Sequence, residues 1–382
     1  MKPELLAWAR KSRVFSEKVA AEKIGIAVQL LRQWEAGEAA PTVAQLRDAA
    51  TAYKRSLAVF FLPAVPDDPS SRAPHDFRRL PGAARSRLTP ELQLALRSAY
   101  VQRNAALDLA DALREPPKAF ERSAVAGQTP REIATHIRQL LGVTVSQQIE
   151  TSRERGGYGS LKLWREAVED AGVLVFQAPG IPTTQMRAFS IGADQYPVIV
   201  LNPKDTPLAR VFSLMHEFAH LWMATEGLCN LDDGDPRDDP AEVLCNAVAA
   251  EALVPHEDLL AHPVVQAHSR TLGEWTNNEL RTLARHYGVS EEVALRRLLE
   301  LRRTSDEFYA RKRREYLKRR PKDHERDGGP GWPVKVVSWF GRPFVRLVLT
   351  AYSRRAITAS EASRQLGVKV SAFQSVAQEA MK

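Results

Sequence analysis

Cysteine is nearly absent from this chain: Cys229 and Cys245 are the only two in 382 residues. Two thiols cannot build a disulfide framework, so the fold rests on its core, and nothing in the cysteine usage points to secretion. No run of about 18 apolar residues occurs, which leaves no candidate for a helical membrane span. Met1-Lys2-Pro3-Glu4-Leu5 does not open a charged region followed by an apolar one, so no signal peptide is expected and a cytoplasmic location follows by default. Repeats with a period of roughly 20–50 residues are also missing, which excludes a solenoid. What remains is an ordinary globular composition, 44% hydrophobic and 26% charged, and not that of a disordered chain. The length suggests two or three domains. The net charge of +8 fits a nucleic-acid partner.

Punctuation by Pro and Gly divides the chain. Residues 1–63 read as a domain of five short helices with tight connections. Residues 64–85, rich in Pro, Asp, Ser and Arg, read as a linker. Residues 86–155 read as a helical connecting region: Thr89 with Pro90, and Thr129 with Pro130, are N-cap and first-turn pairs, and Gly142 is a stop. The periodicity then changes. Residues 173–177, 187–191 and 196–202 are β-branched and apolar, so they read as strands of a small sheet. A helix over about 207–224 follows, then an acidic loop at 232–239 and a helix from Glu242 to a stop at Pro255. Residues 156–320 form the expected second domain, closed by further amphipathic helices. A Gly/Pro/charge linker at 321–333 and a helical tail at 334–382 complete an α+β chain that is mainly α.

The chemistry concentrates in the helix carrying His216-Glu217-Phe218-Ala219-His220. Residues four apart project from one helix face, so both imidazoles can reach one ion. Glu217 beside them can hold a water and take its proton, as the general base of zinc-dependent hydrolysis. Phe218, Ala219, Leu221 and Trp222 are uncharged, as a buried metal helix requires. A catalytic zinc needs a third protein ligand and an open position. Glu242, opening the next helix, is the best candidate, with Asp239, Glu251 and Cys245 weaker ones. Asn246, one turn beyond Glu242, is suited to orient a histidine ring. Tyr287, His256, His286 and Tyr316 are available as oxyanion donors. Two core histidines hydrogen-bonded to neighbours is the bland alternative to a metal site.

On these residues the region of about 160–300 resembles the ImmA/IrrE metallopeptidases. The strand Val198-Ile199-Val200-Leu201-Asn202 carries the resemblance together with Leu214-Met215-His216-Glu217-Phe218-Ala219-His220-Leu221. It continues through Glu242-Val243-Leu244-Cys245-Asn246-Ala247-Val248-Ala249-Ala250-Glu251 and on to Pro255, and through the pair Leu283–Ser290 and Ala294–Leu298 by position. It implies a bacterial zincin-like peptidase core, with His216, His220 and Glu242 as Zn²⁺ ligands and Glu217 as base. It also implies a protein substrate of the transcriptional-repressor kind. Cys245 departs from the small Ala commoner at that place.

Near the N-terminus, Val19–Ile26 by position reads as a helix turned at Gly25, and 27–35 as a second helix stopped by Gly37. Apolar Val19, Ile24, Ile26, Leu30, Leu31 and Trp34 pack them together, which leaves Gln29, Arg32 and Gln33 toward the open face as candidate DNA contacts. Residues 4–62 resemble the Cro/C1-type (XRE-like) helix-turn-helix family through Leu31-Arg32-Gln33-Trp34-Glu35-Ala36-Gly37, then Leu46, Tyr53 and Phe60-Phe61-Leu62-Pro63. That resemblance implies DNA as a partner through residues 4–62. A protein-docking or dimerisation module is the competing reading, with a second copy of the chain as a further candidate partner. The basic run at 311–320 reads as a solvated helix face, and 359–371 as a helical hairpin covering the peptidase domain.

Two functions follow. One is a zinc endopeptidase that removes a repressor and is coupled to a DNA-binding domain. The other is a non-enzymatic regulator or antitoxin-like protein whose zinc site is structural.

Overall fold

The computed structural model describes residues 2–66, 89–120, 127–223, 240–268, 272–318 and 331–382. Most of the expected linkers at 64–85 and 321–333, the acidic loop at 232–239 with Asp239, and Cys229 lie outside the described residues. The fold is α+β and mainly helical. Its described residues fall into two compact units that divide at Val101 and Gln102.

The first unit opens with α1 (Pro3–Lys11), α2 (Glu17–Ile24), α3 (Val28–Ala36) and α4 (Val43–Tyr53). Local chemistry sets the ends of these helices. Ser16 caps α2 by accepting from the Val19 amide, and Gly25 ends it at φ 80°. Thr42 and Gln45 form a reciprocal capping box on α4. The fifth expected helix is a 3₁₀ segment, Leu57–Phe61. Five residues before an extended Leu62 and Pro63 leave no room for a second α-turn. Leu5, Leu6, Ala20, Leu31, Trp34, Leu46, Tyr53 and Phe60 make the core. A fork of two hydrogen bonds, Arg10 Nε and Nη2 to the Glu35 carboxylate at 2.7 and 2.8 Å, pins α1 to α3.

Gly37 ends α3 at φ 78°, and a Cβ there would stand 3.1 Å from Pro3 Cγ. The Gly37→Ala variant is therefore expected to lose about 1–2 kcal/mol, read from its urea midpoint, because an L-residue is strained in this region. An unchanged midpoint would show the turn to be unstrained.

Helix α5 (Pro90–Leu113) runs across the division between units. In the second unit, α6 (Pro130–Leu141), α7 (Val145–Ser152) and α8 (Tyr158–Asp170) precede β1 (Leu174–Gln177), β2 (Ala188–Ile191) and β3 (Val198–Leu201). Then come α9 (Pro207–Met223), α10 (Pro240–Leu253), α11 (His256–Ala261), α12 (Pro263–Ala267), α13 (Asn277–Tyr287), α14 (Glu291–Glu300) and α15 (Asp306–Lys318). The tail supplies α16 (Trp332–Phe340), α17 (Arg342–Ser353), α18 (Ala359–Leu366) and α19 (Phe373–Met381).

The sheet order is β1-β3-β2, with β1 parallel and β2 antiparallel to β3. Successive side chains alternate faces. Val175, Ile199, Leu201 and Ala188 join the main core with α9. Phe176 turns the other way and meets Phe344 of α17 edge-on, with ring centroids 5.8 Å apart. Helix α16 packs on β1, α18 on α17, and α19 on both α16 and α17. Both faces of β1 and β3 are thus covered, which is why these strands read as nearly continuous apolar runs, broken only by Gln177, and not as alternating ones.

Arg165 locks this tail in place. It donates to Val175 O at 2.7 Å, to Ser338 O at 2.9 Å and to Glu169 Oε1 at 2.8 Å.

Helix α10 packs against α6 and α9 through small residues, among them Ala249 and Ala252. The end of a helix leaves carbonyls without intrahelical partners. Here side chains from three other helices reach them. Arg138 donates to Ala252 O at 2.6 Å, Gln148 to Leu253 O at 2.7 Å, and Arg297 to Val254 O at 2.9 Å. Gln148 is fully buried, and burial pulls the Arg138 pKa down to about 10. These bonds fix where α10 ends, and so where its first turn lies.

Candidate metal centre

From Arg210 to Trp222 every residue of α9 is buried, so the helix is surrounded by protein and its polar groups need partners. His216 and His220, 1% and 7% exposed, lie one turn apart on one face, with their Nε2 atoms 3.1 Å from each other. Glu242, in the first turn of α10, completes the group. Its Oε1 is 2.8 Å from His220 Nε2 and its Oε2 is 3.4 Å from His216 Nε2. One ligand atom from each of the three lies within 4.8 Å of the others. Among the described residues no other His, Cys, Asp and Glu side chains cluster in this way. Two ring nitrogens and a carboxylate facing one point, away from water, form an arrangement that could hold a metal ion.

Glu217, 2% exposed, reaches the sheet instead. Ser190 Oγ of β2 donates to its Oε2 at 2.8 Å. Ser190 is two residues from Ala188 and so shares the strand face that packs on α9.

Burial favours the neutral His220 ring, but the neighbouring Cys245 and Glu242 side chains outweigh this and hold its pKa well above the usual histidine value. Burial pushes the Cys245 thiol up to about 11, so it stays protonated near neutrality.

Two expectations need correction. Asn246 does not orient a histidine ring: its Nδ2 donates to the Glu242 carbonyl of its own helix at 2.7 Å. Glu251, a weaker candidate ligand, is paired with Arg297 and accepts from the His256 amide at 2.8 Å. Of the expected oxyanion donors, Tyr287 already gives its hydroxyl to Asp258 at 2.7 Å. Sequence reading missed Ser190 altogether. The alternation of β2 was the available signal, but only the strand order puts that strand beside α9.

In the first unit, Gln29 and Arg32 of α3 are exposed and Gln33 is half-buried. Arg32 forms an exposed ion pair with Glu17 of α2 at 2.7 Å, which lowers the Glu17 pKa. In α15, Arg311, Lys312 and Arg313 pair with Glu274, Glu315 and Glu292. Among the described residues of that run, three of the five cations are thus paired with acids.

Comparison with known families separates the same two regions. The model of the IrrE N-terminal-like domain, Peptidase M78, matches residues 168–299, which include β1, the sheet, α9 and α10. A helix-turn-helix model matches residues 6–60. No curated protein matches the chain. The chain thus joins an N-terminal helix-turn-helix domain to an IrrE N-terminal-like peptidase domain of the M78 type.

Proposed function

We propose that this chain is a zinc-dependent endopeptidase that inactivates a transcriptional repressor and is brought to its place of action by a DNA-binding domain. One observation carries the enzymatic half. His216, His220 and Glu242 converge from two helices while Glu217, between the histidines in sequence, turns toward the sheet. Two imidazoles and a carboxylate are a donor set that zinc accepts with one position left open. Bound there, the ion would supply Lewis acidity for amide hydrolysis. Glu217 then takes a proton from the attacking water and returns it to the leaving amine. Edge strand β2 lies beside it and offers backbone groups along which an extended peptide can be laid. The test is zinc content with repressor cleavage. One ion per chain, lost in His216→Ala together with cleavage, is the expected result. Cleavage that survives exhaustive chelation would refute the reading.

For the DNA-binding half, α3 presents Gln29, Arg32 and Gln33. An exposed ion pair is worth little, so Arg32 can leave Glu17 for a phosphate. The Arg32→Ala variant is expected to bind duplex DNA more weakly and to reduce the slope of log K against log salt by about 1. Fluorescence anisotropy across a salt series measures this, and an unchanged slope would remove Arg32 from the interface.

A further inference from the structure

We propose that α18 and α19 form a second helix-turn-helix, whose outer face binds duplex DNA. The comparison is internal to the chain. Helix α2 has eight residues and Gly25 follows it in the left-handed region. The Ile26 amide then donates to Ala21 O at 3.0 Å, and α3 begins three residues after the glycine. Helix α18 also has eight residues and is followed by Gly367 at φ 64°. The Val368 amide donates to Ser363 O at 3.2 Å, and helical backbone again resumes three residues after the glycine. It resumes as a 3₁₀ turn, Val370–Ala372, that runs into α19. Burial keeps the same register. Counted from the glycine, buried Ala20, Leu31 and Trp34 correspond to buried Ala362, Phe373 and Val376. Gln29, Arg32 and Gln33 correspond to Ser371, Gln374 and Ser375, and these last three are exposed. Ser363 Oγ donates to Val368 O at 2.6 Å and Arg346 Nε to Ala380 O at 2.8 Å, which fixes the turn and the end of the second helix.

The turn alone does not make a DNA reader. It occurs a third time at Gly288, where the Val289 amide donates to Ala284 O at 2.9 Å. There the second helix, α14, is enclosed, with only Glu300 of its residues exposed, and it opens on Glu291 and Glu292. A helix enters a groove only with an open outer face. The outer face of α19 is open and carries serine and glutamine, side chains that hydrogen-bond to phosphates and base edges. The hairpin reading of 359–371 accounts for the buried side alone. Charge favours the same occupant. Residues 331–382 hold eight Lys and Arg against two Glu and no Asp, a net +6 of the chain's +8. Both acids are engaged: Glu361 accepts from Thr358 in the cap of α18, and Glu379 from Lys382. Arg364 on α18 and Lys369 ahead of the second helix are exposed.

The experiment is fluorescence anisotropy of the full chain with a labelled duplex of mixed sequence, across a salt series. Arg364→Ala combined with Lys369→Ala should lower the slope of log K against log salt by about 2, one for each phosphate contact, and leave the thermal midpoint at the parent's value. This loss should add to that of Arg32→Ala, because separate cations are removed. Arg311→Ala combined with Arg313→Ala, on α15, removes equal charge and should leave the slope as it is. An unchanged slope in the Arg364 and Lys369 variant would overturn the proposal, whatever Arg32→Ala shows of the N-terminal domain. An equal fall in the α15 variant would also overturn it, because binding would then follow net charge and not this surface. Equal or tighter binding of single-stranded RNA of the same length would remove duplex DNA as the occupant. A parent chain that binds no duplex would refute both DNA readings.

Discussion

Glu217→Gln is expected to slow repressor cleavage by about a hundredfold to ten-thousandfold, the range that a general acid–base group supplies, while metal content and thermal midpoint stay at the parent's values. The reason lies in what the substitution keeps. Glutamine has the shape of glutamate, and its amide oxygen can still accept the hydrogen bond that Ser190 gives to Glu217 Oε2 at 2.8 Å. It introduces no charge into a site that is almost fully enclosed. It cannot accept a proton. The loss should therefore fall on turnover and leave the fold intact, and the variant should retain an uncleaved partner that a pull-down can recover. Purified parent and variant are compared by the rate of fragment appearance from the recovered protein. A variant that cuts at the parent's rate would remove Glu217 from the reaction.

The second large effect concerns stability. Arg297 and Glu251 form an ion pair in the interior, with side chains 4% and 11% exposed. Arg297→Met would strand the Glu251 charge and take the donor from Val254 O, at a cost of about 3–5 kcal/mol. For a unit of this size that corresponds to a midpoint lowered by roughly 6–15 °C. Removing both charges, as in Arg297→Met with Glu251→Leu, should recover part of the loss, because an apolar pair replaces a stranded charge. Recovery is incomplete because Glu251 also accepts from the His256 amide at 2.8 Å. Calorimetry on the two single variants and the double gives the coupling. A single Arg297→Met variant with the parent's midpoint would contradict the account.

The parts of the site that were legible in the sequence share one property: their geometry is local. Histidines four apart must share a helix face, and Gly25, Gly37, Gly142 and Gly288 mark turns at which the chain takes φ above zero. Glu242 could be named because it opens a helix long enough to fold back. Asn246 misled for an equally local reason: a short amide can turn onto the carbonyl four residues earlier in its own helix, and here it does. Ser190 was invisible as a partner because it is defined by a neighbour on another element, Glu217 of α9. The same holds for Arg138, Gln148 and Arg297, which meet the end of α10 from far along the chain. No periodicity records such meetings.

The last helices change what counts as the smallest self-sufficient piece of this protein. Residue 299, where the family match stops, is not a place where the chain can be cut. Phe176 and its neighbours on that side of the sheet would lose Phe344 and the rest of their cover. A greasy strand surface left bare is an invitation to stick to other chains. Distant sequence has thus become a permanent wall of the peptidase domain, and any excised version would have to carry residues 331–382 with it.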